Sequence, residues 1–417
     1  MTIIHVSPRY FPAISGAEFY FQRISEILQK KRDIEVHCTN ALDFSAFSNQ
    51  DGKKIKRSMN NPESINGVRV FRHDIDYDKE IIEEERVLLG QALFIEDTKT
   101  LNDVLLEGPA SRSLRLALEQ AGTELVHATC FPYENIYSAL RVANLKHIPC
   151  VLTPFLHGEN PRYHRESITV LDQFTKILAC SKAEQDFLVQ HGVARDKIKL
   201  ITMGVDIDRF HAATTERFVN VTSVNPDKHK IILFSGYKNY EKGAITLLKA
   251  VPLVVSKIPE SIFVMIGPPT KQYNLEMTKL GNFKKHVINI NPSNLAGYFD
   301  KIKLGAFKAC HVYAMPSRSE AYGIAYLEAF ACKKPIIAAA IPAMFELFME
   351  GRECMHVNFD MVNELGEMII YLLENERARE ELGQNGYDKI SREKLTWQDV
   401  ARNILGIYDD LLSGAGR

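Results

Sequence analysis

The chain is short of nearly everything that marks a specialised class. Its charges cancel, 51 Lys and Arg against 52 Asp and Glu, and neither half forms a basic arm. An extended nucleic-acid footprint needs clustered Lys and Arg against phosphates, so that class is excluded while a local phosphate pocket stays open. Long apolar runs are missing too. The longest near-continuous stretch, residues 335–345, is far below the ~20 residues of a membrane-spanning helix, so any membrane contact would be peripheral. The N-terminus, Met-Thr-Ile-Ile-His-Val-Ser-Pro, lacks the cationic segment of a signal peptide. The cysteines (Cys38, Cys130, Cys150, Cys180, Cys310, Cys332 and Cys354) are odd in number and form no C-x-x-C pair. They read as reduced core residues of a cytoplasmic protein, not as disulfides or metal ligands. No G-x-G-x-x-G follows a strand-like run, which argues against a two-domain NAD-dependent dehydrogenase.

What is present is the composition of an ordinary globular chain, 46% apolar and 25% charged, with 417 residues, more than one core usually serves. From residue 2 onward short β-branched runs alternate with helical patterns, the signature of parallel sheets wrapped by crossover helices. Runs at 2–6, 34–38, 68–71, 125–128, 149–153, 177–179 and 198–202 form one set. Residues 43–66, rich in Asn, Ser, Gly and Lys, read as a long loop or insertion. A polar stretch at 211–230 precedes a second set at 231–234, 262–266, 287–290, 312–314 and 335–339. The expected architecture is α/β: two Rossmann-like, doubly wound parallel-sheet domains facing across a cleft. These are residues 1–205, residues 206–392, and a C-terminal helix over 393–417 packing back on the body, where Val400, Ile404, Ile407, Tyr408 and Leu411 recur at helical spacing. Ligands in such sheets bind beyond the carboxyl ends of the strands, so the cleft would hold the substrate.

The most informative stretch is 316–335. Glu320 and Glu328 are separated by seven residues, with Gly323 where a loop would turn into a helix. Glu328 would then sit about 7.5 Å along the helix axis, and the helix N-terminus would offer free amides and a positive dipole end to a phosphate. The two carboxylates would flank a phosphate ester and accept hydrogen bonds from sugar hydroxyls.

Pro316-Ser-Arg-Ser-Glu-Ala-Tyr-Gly323, followed by Glu328-Ala and Pro335, resembles the E-x7-E signature of the large retaining glycosyltransferase family with the two-domain GT-B fold (family 4, glycosyl transferases group 1). Four more segments agree in order. Ser15-Gly16-Ala-Glu18 resembles the N-terminal glycine loop, and residues 179–188 look like the strand-to-helix "SxxxxxxL" segment. Met203-Gly204-Val205-Asp206 through Phe210 is similar to the "NGVDxxxF" linker, and Gly236-Tyr-Lys-Asn-Tyr-Glu-Lys242-Gly243 to the donor-phosphate segment.

The resemblance implies transfer of a sugar from a nucleotide diphosphate-sugar to an acceptor hydroxyl of a glycan, glycolipid or small molecule, without metal or other cofactor. Charge builds on the departing diphosphate, and stabilising it is the main catalytic task. Lys242 is expected there, with Lys238 and the amides of Tyr322, Gly323 and Ile324. Glu328 is expected to hold the donor ribose and Glu320 to contact the sugar, with Gly16 and Gly236 in the phosphate-side loops. Retention would come from same-face attack, the leaving phosphate oxygen taking the acceptor proton. On the N-terminal side the resemblance implies a pocket histidine, assigned to His157, with His127 and His164 as rivals; Phe155 stands where the family often has it. Tyr237 replaces the donor segment's arginine, a bidentate clamp that Lys238 or Arg318 would have to supply. Met203 and Lys333 replace the linker Asn and the "AxGxP" glycine. A same-fold epimerase or phosphorylase, or a non-catalytic nucleotide-sugar-binding relative, is the alternative. The family's habit of lipid-linked or polysaccharide acceptors would bring the protein to the inner membrane face.

Asp74, Asp76, Asp78 and Glu85 fall at positions 1, 3, 5 and 12 of a calcium loop, but Lys79 occupies the sixth position, where glycine is required. A solvated acidic loop is the expectation there, and no metal site.

Overall fold

The computed structural model describes residues 2–13, 15–56 and 62–414. The backbone divides into two compact units, Met1–Thr202 with Trp397–Arg417, and Met203–Thr396.

The first unit is an eight-stranded sheet built from β1 (Thr2–Ser7), β2 (Asp33–Thr39), β3 (Glu63–Ile65), β4 (Val68–His73), β5 (Thr123–Ala128), β6 (Cys150–Leu152), β7 (Lys176–Ala179) and β8 (Ile198–Leu200). Its order is β3-β4-β2-β1-β5-β6-β7-β8, parallel throughout except for the antiparallel pair β3 and β4. Six helices belong to this part of the chain: α1 (Gly16–Leu28), α2 (Lys79–Ala92), α3 (Thr98–Leu106), α4 (Arg112–Gln120), α5 (Asn135–Lys146) and α6 (Lys182–Gln190). β3 lies inside the stretch expected to be loop. Asn66 and Gly67, both with positive φ, make the tight Asn-Gly hairpin turn that pairs a three-residue strand with β4. Residues 57–61 of that expected loop lie outside the described residues.

The second unit contains α7 (Ile207–His211), α8 (Glu216–Thr222), β9 (Lys230–Ser235), α9 (Ala244–Lys257), β10 (Ser261–Ile266), α10 (Lys271–Lys279), β11 (Val287–Ile290), α11 (Lys301–Ala309), β12 (Val312–Met315), α12 (Ile324–Ala331), β13 (Ile336–Ala339), α13 (Pro342–Leu347), β14 (Cys354–Val357), α14 (Val362–Glu374) and α15 (Glu376–Arg392). All six strands are parallel, in the doubly wound order β11-β10-β9-β12-β13-β14. Their residues form near-continuous apolar runs because both faces are covered; Ile231, Ile232, Leu233 and Phe234 of β9 are all fully buried. The edge strand β14 is Cys-Met-His-Val and lacks the β-branched run that marks the other strands.

The unit boundary falls at Met203 and Trp397, against the expected 206 and 393. Val205 N–H donates to Leu395 O (3.0 Å) and bridges Thr396, so residues on both sides of the crossover belong to the second unit. Phe210 follows, buried edge-on against Phe307 with ring centroids 5.6 Å apart.

α16 (Trp397–Gly414) returns to the first unit. It turns Trp397, Val400, Ala401, Ile404 and Tyr408 inward, with Trp397 edge-on to Phe19 (5.6 Å). The Tyr408 hydroxyl meets His5 Nε2 (3.0 Å) and His127 Nδ1. His127 Nε2 then meets Thr153 Oγ1 (2.8 Å), which meets the Tyr20 hydroxyl (3.0 Å). These side chains are buried, so the tail is fastened by a satisfied polar network inside apolar packing. Among the described residues no helix is long and apolar enough to cross a membrane.

Candidate functional site

In a doubly wound sheet the chain leaves the centre in opposite directions on either side of one strand pair, and the crevice beyond the carboxyl ends of that pair is where ligands bind. In the second unit that pair is β9 and β12. Residues 236–243 lead from β9 into α9, and residues 316–323 lead from β12 into α12. The two loops pack on each other. Arg318 N–H donates to Glu241 O (2.7 Å). Gly243 has φ +75, and a Cβ there would lie 2.2 Å from Pro316 O. Only glycine fits that close approach.

Lys242 and Glu320 meet where these loops touch. Lys242 Nζ lies 2.8 Å from Glu320 Oε1, and Ser317 Oγ donates to the same oxygen (2.9 Å). Asn239 Oδ1 accepts from the Lys242 amide (2.8 Å) and fixes the loop. The Lys242 side chain is 24% exposed and the Glu320 side chain 6%, so the ammonium reaches outward from an anchored carboxylate. Gly323 (φ +82) is the N-cap of α12, and a Cβ there would press to 2.5 Å from the Tyr326 ring. The amides of Gly323 and Ile324 therefore stand in the open first turn of that helix, where an anion is favoured. Tyr322 beside them is buried. Gly236 ends β9, its N–H donating to Ile266 O (3.0 Å).

Glu328, one turn into α12, is buried, takes Lys303 Nζ on Oε1 (2.8 Å) and is also hydrogen-bonded by the Tyr298 side chain. Lys303 also sits 3.4 Å from the centroid of the Tyr298 ring. Burial pushes the Glu328 carboxyl up and the Lys303 ammonium down, and each is pulled back by the other.

Two residues expected at the donor have their side chains engaged by partners within the protein. Lys238 is fully buried, its ammonium donating to Asn289 Oδ1 (3.0 Å) and Asn291 Oδ1 (2.9 Å). Burial lowers its pKa to about 8. It ties the β9 loop to the carboxyl end of β11. Arg318 stacks its guanidinium on Tyr240, 3.3 Å from the ring centroid, and pairs with Asp360. Its Nη1 donates to Tyr240 O and its Nη2 to Asp360. With Tyr237 in the arginine position, Lys242 is the site cation that remains directed outward.

In the first unit the corresponding strand pair is β1 and β5. Gly16 opens α1 after the β1 loop, and two residues on, Glu18 pairs with Arg9 (2.7 Å) in the interior. His157 follows β6 and stacks on Tyr163, centroids 5.3 Å apart. His127 belongs to the buried network under α16, and burial holds it neutral; it is a structural histidine. His164 Nε2 is hydrogen-bonded to Gly158 O (2.8 Å). The acidic run 74–78 is engaged locally. Asp74 accepts from Asn40, Asp76 from the Arg112 amide, Asp78 caps α2, and Glu85 pairs with Arg115.

Two family models match consecutive parts of the chain. Residues 68–209 match the family described as Glycosyltransferase Family 4 and residues 217–389 the one described as Glycosyl transferases group 1. The chain is a glycosyltransferase. Among relatives of the transferase, an uncharacterized glycosyltransferase of Methanocaldococcus jannaschii is 25% identical over 302 residues, 70% of this chain and 77% of the relative. A D-inositol 3-phosphate glycosyltransferase of Paenarthrobacter aurescens is 26% identical over 269 residues, 62% of this chain and 63% of the relative, just under two thirds of its length. Among solved structures, Anabaena HepE in complex with UDP and glucose matches with TM-score 0.72 at 17% identity, over 98% of this chain and 100% of that one. Sucrose-phosphate synthase of Thermosynechococcus elongatus matches with TM-score 0.70 at 17% identity, over 99% of both. These likenesses show that the transferase has the two-domain GT-B fold.

Sequence reasoning passed over Ser317, Asn239, Tyr298 and Lys303. Only Lys303 left a signal. It interrupts the apolar stripe of α11, between Ile302 and the pair Ala306 and Phe307, and a lysine on a core face needs a buried partner.

Proposed function

We propose that the transferase is a retaining enzyme that moves a sugar from a nucleotide diphosphate-sugar to an acceptor hydroxyl without a metal ion. The observation that carries this reading is the Lys242–Glu320 pair, held by Ser317 at the mouth of α12 where the sheet order reverses. Lys242 and the Gly323 and Ile324 amides take the charge that develops on the leaving diphosphate. Glu320, released from Lys242 when the anion arrives, accepts from a sugar hydroxyl. Glu328, buried one turn into α12, accepts from a ribose hydroxyl. His157 contacts the sugar, Gly16 serves the donor, and the departing phosphate oxygen takes the acceptor proton. HepE, solved with UDP-glucose, supports a nucleotide-linked donor, and relatives named for D-inositol 3-phosphate support a polyol hydroxyl as acceptor. The setting is the cytoplasm or its membrane face.

The test is nucleotide release from a panel of nucleotide diphosphate-sugars, with and without acceptors, together with the anomeric configuration of the product. Acceptor-dependent release with retention is expected, reduced tenfold or more in Lys242→Ala, a loss of about 1.4 kcal/mol or greater in transition-state stabilisation. Release indifferent to every acceptor counts against transfer. A second reading, a nucleotide-sugar-binding relative that does not turn over, is favoured by the commitment of Lys238 and Arg318 to internal partners. Donor binding without turnover would support it.

A further inference from the structure

The edge strand β14 and the turn before it carry three side chains that the transfer chemistry does not use. Glu350 stands in the turn, and Cys354 and His356, two residues apart on the strand, point to the same face. One ligating atom from each lies within 4.8 Å of the other two. His356 Nδ1 is 2.8 Å from Glu350 Oε2, and the Cys354 sulfur is 3.8 Å from that nitrogen. The other ring nitrogen, Nε2, faces the Met344 carbonyl at 3.3 Å.

The Cys354 sulfur also lies 3.4 Å from Nε2, and the Glu350 carboxylate is held in place by accepting from the His356 amide (2.6 Å), so thiol, imidazole and carboxylate stand directly against one another. The backbone carbonyl on the far nitrogen is the partner that fixes the tautomer and orientation of metal-ligating histidines. A donor set of one sulfur, one imidazole nitrogen and one carboxylate oxygen suits a borderline-soft divalent ion of zinc type in tetrahedral geometry. Edges of such a tetrahedron are about 3.3–3.6 Å given the usual bond lengths; the nitrogen-to-oxygen spacing here is 2.8 Å, the sulfur-to-nitrogen spacing 3.8 Å and the sulfur-to-oxygen spacing no more than 4.8 Å, so binding draws the sulfur and the carboxylate towards a common centre. Cys354 is fully buried and His356 nearly so, while the Glu350 side chain is 54% exposed, so an ion enters from the carboxylate side.

We propose that Glu350, Cys354 and His356 bind one zinc-type ion, with water as fourth ligand, and that this ion staples the 349–353 turn to the sheet edge. Binding displaces the thiol proton to solvent. None of the three residues belongs to the proposed donor pocket.

The full-length, chelator-treated protein is titrated with Zn²⁺, reading affinity by competition with a chromophoric chelator and stability by thermal melting, and separately with Co²⁺ by absorption. One equivalent of Zn²⁺ should bind and raise Tm, and Co²⁺ should give a thiolate-to-cobalt charge-transfer band. Cys354→Ser should abolish that band and weaken Zn²⁺ at least tenfold. Glu350→Gln changes an exposed side chain, keeps the fold, and should also weaken Zn²⁺ at least tenfold. The three-ligand site is overturned by absence of binding to the wild type, by a cobalt spectrum without a thiolate band, or by either variant binding Zn²⁺ as the wild type does. A cluster holding only a proton on His356 would give the first of these results.

Discussion

Two lysines four residues apart in one loop show what a side chain's direction does to its role. Lys242 points outward and pairs with Glu320, whereas Lys238 points into the sheet and pairs with Asn289 and Asn291. Their variants should separate accordingly. Lys238→Ala removes the hydrogen bonds of a buried ammonium to Asn289 and Asn291, at about 1.5–3 kcal/mol for a bond to a charged group, and should lower the denaturation midpoint measurably. Lys242→Ala removes a partly exposed ion pair of small structural worth, and should leave the melt nearly unchanged while losing turnover. Equal stability loss in the two would contradict the assignment. Gly243→Ala should behave like Lys238→Ala in a melt, because the added Cβ meets Pro316 O and the positive φ suits glycine. The residue types of this pocket were legible in the sequence because glycine, lysine and glutamate at fixed spacing carry their chemistry with them. The directions of Lys238 and Arg318 were not. Both depend on Asn289, Asn291 and Asp360, which are distant in the chain and carry no motif.

The elements tell a similar story, with a different physical cause. Central parallel strands announce themselves as unbroken apolar runs because both faces are covered, and every such run in the sequence became a strand. β3 and β14 did not announce themselves: each is a short edge strand held mainly by its one neighbour. The destination of α16 was also hidden, because an apolar stripe at helical spacing names no partner. Its partner is written in polar residues, His5 and His127 beneath the Tyr408 hydroxyl. Tyr408→Phe leaves both histidines short of a partner and should cost about 1–3 kcal/mol, read as a lower urea midpoint. Burial also lowers the pKa of His5 to about 3 and that of His127 well below its ordinary value. Above about pH 6.5 folded and unfolded chains both hold these rings neutral. Below it the unfolded chain gains protons that the folded one refuses, so their contribution falls as pH drops, at about 1.4 kcal/mol per unit for each ring. Glu134 and Glu184, with pKa raised to about 8 and about 7 by burial, act in the opposite direction over the same window. The clean measurement is therefore a difference: the stability of His127→Gln between pH 6 and pH 4 should be less acid-sensitive than that of the wild type by about one such slope.

At the scale of the whole molecule, the chain builds one sheet, crosses to a second, and comes back to the first for its last helix. Each unit has its own core, but the first cannot complete its core until the last residues are in place. Trp397, Val400, Ile404 and Tyr408 are buried against it, and full burial of a large apolar side chain is worth about 1.5–3 kcal/mol. Losing all of them removes an amount comparable with the 5–15 kcal/mol that stabilises a typical domain. The second unit, Met203–Thr396, contains β9 to β14, Lys242, Glu320 and Glu328, and its closing contact between Val205 and Leu395 is internal to it. A chain ending at residue 396 should therefore lose cooperative melting of the first unit in calorimetry while the second still melts cooperatively. Because Lys242, Glu328 and the Gly323 and Ile324 amides, proposed for the diphosphate and ribose, all lie in the second unit, a nucleotide diphosphate should still raise that remaining transition, by the mass-action stabilisation of a native-state ligand. Retention of cooperative melting by the first unit would show that α16 is dispensable. A second-unit transition indifferent to nucleotide diphosphates, in a protein whose intact form responds to them, would show that the pocket needs groups from beyond residues 203–396.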